Sequence, residues 1–130
     1  MTASKAIELA DEMRPNNPFG TGLKQLWLKQ ADAALRSVIV DRSETEDFDG
    51  RGADRAWDDE AECMDPNTLL LAPVPFDRYY PHYLCAWIDL ALGETTRYAN
   101  EMQLANAAQA EFAAWCRRNY MPRGGAQWAT

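Results

Sequence analysis

A chain of 130 residues, 47% apolar and 11% aromatic, has the composition and size of one folded unit with a modest core. Its net charge of −7 argues against a phosphate-gripping nucleic-acid binder, and its apolar runs are too short to span a bilayer. Cys63, Cys85 and Cys116 are odd in number and lack a CxxC pair, which points to a reducing compartment rather than a disulfide framework.

The N-terminal "MTASKAIELADEM" carries acids where an export signal would be apolar, so no such signal is read. Ala6, Ile7, Ala10 and Met13 recur at helical spacing and predict a first helix over 3–14, capped by Thr2 or Ser4. Pro15 and Pro18 in "RPNNPFG" end it. Thr21 then opens a second helix whose expected buried stripe is Leu23, Leu26, Trp27, Ala31, Ala34, Leu35, Val38 and Ile39.

Next comes an acidic segment without periodicity. Asp41 to Asp65 holds eleven acids and three arginines, a local balance of −8 that leaves the remainder near neutral. It reads as a long loop over about 43–68, which in a small fold signals function or disorder. Its most prominent acids are Asp47, Asp49, Asp58, Asp59, Glu60 and Glu62.

"LLLAPVPF" should be extended, because each proline biases the residue before it away from helix. Asp77 is the expected N-cap of a third helix reaching about Leu92, with Pro81 placed in the first turn, where a missing N–H is harmless. Tyr80, Leu84, Trp87, Ile88 and Ala91 form one face, and Tyr83, Ala86 and Leu90 widen it, so burial on more than one side is expected. Gly93 stops this helix. A fourth helix over about 95–120 follows, with Tyr98, Met102, Ala105, Phe112, Trp115 and Cys116 as its stripe. So short a connection implies an antiparallel hairpin, in which Asp89 is expected to bridge Arg97. Near the C-terminus, Arg117, Arg118 and Arg123 form a small basic patch, and a flexible tail is expected over about 123–130.

The fold class read from these elements is all-α, with four helices in one unit. Little in the sequence resembles a catalytic or metal centre. His82 is the only histidine, and beside aromatic residues in an early helical turn its expected role is packing. The cysteines lie 22 and 31 positions apart, without zinc-site spacing. Asp47, Asp49, Gly52 and Asp58 fit four positions of a calcium loop, but Arg51 and Arg55 occupy two ligand positions, and a solvated acidic loop is the better reading. Neither Gly50-Arg51-Gly52 nor Gly124-Gly125 is followed by the Lys-Ser/Thr of a phosphate loop. No cofactor is implied. Five tryptophans and five tyrosines suggest more bulky apolar surface than four helices can hide, and hence an interface.

One run is more specific. Residues Pro73 to Asp89 read P-x-P-F-D-x-Y-Y-x-x-Y-L-x-A-x-I-D, followed by G-E-x-x-R-Y from Gly93 to Tyr98. With "KAIELADEMRPN" before it, this run resembles the head–tail connector, or adaptor, proteins of tailed phages and prophages, over about 3–35 and 69–122. The resemblance implies a non-enzymatic helical protomer of the virion neck. It implies a ring, commonly of twelve copies, beneath the portal protein, extending the DNA channel and joined to the next neck or tail completion protein. DNA would pass without specific binding.

On that reading, the extended arm from Leu69 to Phe76 is expected to dock on a neighbouring copy through Leu69, Leu70, Leu71, Val74 and Phe76. Arg117, Arg118, Arg123 and Trp128 are the expected further subunit or portal contacts, and the acidic segment a channel wall that repels phosphates. The alternative is a monomeric acidic helical module that mimics nucleic-acid charge. A small enzyme would have to build its site on His82 or the acidic loop.

Overall fold

The computed structural model describes residues 1–39 and 67–119, with side chains described up to Arg36 in the first stretch. Four helices make up these segments: α1 (Ala3–Met13), α2 (Thr21–Ile39), α3 (Tyr79–Ala91) and α4 (Thr95–Asn119). A 3₁₀ turn over Phe76–Arg78 leads into α3. The fold is all-α, and its only β-type pairing among the described residues is a single antiparallel bridge between Thr2 and Leu69.

Thr2 starts α1 with extended backbone, and its hydroxyl accepts the Lys5 N–H at 3.2 Å. This satisfies one of the donors that a helix start leaves free. Ala3, Ala6, Ile7 and Ala10 are buried, and three of these four are alanines, which permit close approach of the helix to its neighbours. After the helix, Asn16 takes a left-handed conformation (φ 63°), a region where asparagine is tolerated better than most residues.

In α2 the buried stripe is turned around the helix from the expected one. Trp27, Leu28, Ala31 and Leu35 are buried, together with Lys24 and Asp32. Leu23 and Leu26 are instead 40% and 50% exposed, and Ala34 is exposed. The phase is set by the two ionic side chains, which find partners inside the fold and carry that face inward. Val38 and Ile39 lie beyond the described side chains.

The arm corrects the sequence reading most. Leu70, Leu71 and Ala72 are completely buried in the chain's own core, and Phe76 packs against Phe112 and Trp115. Leu70 and Leu71 are therefore not available to a neighbouring copy, and Phe76 is partly buried against the chain's own α4. Burying a leucine stabilises by about 1.5–3 kcal/mol, so the core already takes the favourable energy that docking would have used. Backbone pairing holds the arm: Ala3 N–H donates to the Thr68 carbonyl at 2.9 Å and Leu70 N–H to the Met1 carbonyl at 3.1 Å. The Val74–Pro75 peptide bond is cis. Only Leu69 and Val74 of the arm's large apolar residues face solvent, at 44% and 78%.

Helix α3 begins at Tyr79, and Asp77 makes no side-chain cap. The Phe76 and Asp77 N–H groups both reach the Pro73 carbonyl, which forms the 3₁₀ turn and moves the N-cap one residue on, to Arg78. The Asp77 carboxylate faces the amino group of Met1 at 3.5 Å. Pro81 remains in the first turn, where its missing donor is harmless. α3 is the central element, buried on several sides, including Tyr79, Tyr80, Leu84, Cys85, Ala86, Ile88 and Asp89. Gly93 ends the connection in the left-handed region (φ 79°), and the Glu94 N–H closes on the Asp89 carbonyl at 2.8 Å. Contacts then climb α3 as they descend α4: His82 meets Glu101, Arg78 meets Glu111, and Phe76 meets Phe112.

None of the described aromatic side chains is fully exposed. Trp27, Tyr79, Tyr80 and Phe112 are buried, and Phe19, Phe76, Tyr83, Trp87 and Trp115 pack partly buried against the core. The expected aromatic surplus is thus not found among these residues. The apolar groups left outside are aliphatic: Leu23, Leu26, Leu69, Val74, Leu90, Leu92 and Leu104.

Candidate functional site

Two polar centres sit within this apolar frame. The first joins three helices. Arg14, at the end of α1, forks onto Asp89 of α3, with Nε donating to Oδ1 at 2.8 Å and Nη2 to Oδ2 at 2.9 Å. The same Nη2 reaches Glu101 Oε1 of α4 at 2.8 Å, and Nη1 donates to the Met13 carbonyl. Glu101 Oε2 lies 2.7 Å from His82 Nδ1. Asp89 is 1% exposed, so its charge depends on the paired geometry of Arg14. Hydrogen bonding to Asp89, and then to Glu101, raises the guanidinium pKa further despite partial burial.

The bridge expected between Asp89 and Arg97 does not form. Both Asp89 oxygens are taken by Arg14, and Arg97 is exposed. A fork from 75 positions away gives two aligned charge-assisted bonds, and the nearby arginine cannot displace it. Arg97 instead lines an open groove of about 650 Å³ beside Arg14, Asn16 and Asn100.

The second centre is Asp32 on α2, which is completely buried. Its Oδ1 accepts the Leu71 N–H at 3.1 Å and the Tyr80 hydroxyl at 2.7 Å, and its Oδ2 accepts Arg36 Nε at 3.1 Å. The Tyr80 oxygen in turn accepts the Ala72 N–H at 2.9 Å. One carboxylate and one phenol thus satisfy two backbone donors of a buried, non-helical segment, which would otherwise be orphaned. Burial raises the Tyr80 pKa well above the phenol range, and the charge of Asp32 adds to it.

Among the described residues, His82, Cys85 and Cys116 are held in structural contacts. His82 is half-buried and engaged with Glu101. Cys85 and Cys116 are buried, and desolvation pushes both thiols up to about 12, which makes them poor nucleophiles. Among the described residues, no group of three or more His, Cys, Asp or Glu is placed to hold a metal, and no helix is long and apolar enough to cross a membrane.

On the outside, α2 and α3 share a seam. Tyr79 Oη donates to the Ala31 carbonyl, and Trp27 stacks on Trp87 with ring centroids 6.4 Å apart, so the two helices run in opposite directions. Leu23 lies one turn before Trp27, and Leu90 one turn beyond Trp87. Leu23, Leu26, Gln30 and Ala34 recur at helical spacing along the exposed side of α2, with Leu90 across the seam. Leu23, Leu26 and Ala34 of this strip had been assigned to the core from the sequence.

Of the expected contact residues, Leu69, Val74, Arg117 and Arg118 are exposed, whereas Arg123 and Trp128 lie outside the described residues. So do Asp47, Asp49, Asp58, Asp59, Glu60 and Glu62, and with them the expected calcium-loop positions. Arg14, Lys24, Asp32 and Glu101 were missed by the sequence reading. A signal was available for Asp32, which follows Leu28 by four positions and precedes Leu35 by three. A charge at that spacing must be paired inside. No family model, no curated protein and no solved structure matches the chain.

Proposed function

We propose that this chain is a structural subunit of a tailed-phage head–tail connector, assembling as a ring under the portal and carrying DNA through its channel without binding it specifically. The run from Pro73 to Tyr98 supports the family reading. The observation that carries self-association is the α2–α3 seam of Leu23, Leu26 and Leu90, aliphatic groups left 38–50% exposed beside a well-filled core. Isolated exposed leucines are ordinary, but leucines gathered along one seam between two helices are the form an interface takes. The contact therefore moves from the arm, whose Leu70 and Leu71 are internal, to this seam. Arg117 and Arg118 at the exposed end of α4 remain the proposed portal contacts. On this reading the chain has no catalytic role.

Light scattering after size exclusion, with and without a purified portal ring, tests the proposal. A ring, or ring formation on portal addition, is expected. Leu26→Glu should abolish it, while Leu104→Glu on α4 should not. A strict monomer that ignores portal overturns the reading. Capture of a basic DNA-binding protein by such a monomer would favour the acidic-module alternative.

A further inference from the structure

We draw no further inference here: the strongest candidate, the groove of about 540 Å³ between α1 and α2 beside Glu8, Asp11 and Glu12, is an acidic cluster in which Lys5 and Lys24 already meet Glu8 and Asp11, and nothing in the structure points to a ligand for it.

Discussion

Replacing Asp32 by alanine would test how the arm is held. The substitution removes the acceptor of the Leu71 N–H, one partner of the Tyr80 hydroxyl and the carboxylate facing Arg36. A buried donor left unpaired costs about 1–3 kcal/mol, and removing one partner of a buried ion pair about 3–5 kcal/mol. These overlap because they share one carboxylate, so a total loss of about 3–5 kcal/mol is expected. That is a large share of the ~5–15 kcal/mol that stabilises a typical domain. Asp32→Asn keeps an oxygen for Leu71 and Tyr80 but turns an amide towards Arg36, and should cost about 1–2 kcal/mol. Tyr80→Phe keeps the ring and removes the oxygen between Ala72 and Asp32. Its effect should be less than additive with Asp32→Asn, since both act on one network. Urea unfolding followed by circular dichroism measures the stabilities. Amide exchange at Leu71 and Ala72 reports the arm directly. If Asp32→Ala stays within about 1 kcal/mol of the parent and Leu71 remains equally protected, the buried carboxylate does not hold the arm.

Three further outcomes follow from the other contacts. Arg14→Ala should destabilise by about 3 kcal/mol in urea melts, because it strands buried Asp89 and leaves Glu101 with only His82 as a partner among the described residues, whereas exposed Arg97→Ala should stay within about 0.5 kcal/mol. Cys85 and Cys116, with thiols pushed up to about 12, should resist alkylation at pH 8 in the native chain and react once it is unfolded, as mass spectrometry would show. Burial tends to raise the Asp11 pKa, but the Lys24 and Asn17 hydrogen bonds and the Lys24 charge outweigh it and leave the carboxyl below its usual value. Its stabilising contribution is therefore present above the unfolded-state pKa and lost as pH falls through the folded one, and urea midpoints measured down the acid range should fall less steeply for Asp11→Asn.

What could be read from the sequence was local. The Thr2 cap, the Ala6–Ile7–Ala10 stripe and the stop at Gly93 each depend on residues within a few positions, and each is found in the structure. The phase of α2 was not legible, because leucines at 23, 26, 28 and 35 leave more than one side of that helix apolar. The choice was made by Lys24 and Asp32, whose partners lie in α1, the arm and α3. Asp89 was paired with Arg97 because they are neighbours in the chain, while the winning arginine is 75 residues away and gives no local sign. The arm was misjudged for a related reason. An extended apolar segment beside prolines fits either an interface or a core, and only the hidden carboxylate and phenol that accept its N–H groups decide between them.

The guanidinium of Arg14 also bears on the order of folding. It closes loops of 75 and 87 residues in one step, and until it arrives two acidic groups from α3 and α4 face each other without a cation between them. Long closures of this kind come late and slowly, since chain entropy must be lost before any contact rewards it. The pair formed by the last two helices is thus electrostatically incomplete while the first helix is away. A fragment that begins after Pro18 would inherit that repulsion permanently, so the chain should melt in a single transition rather than in halves.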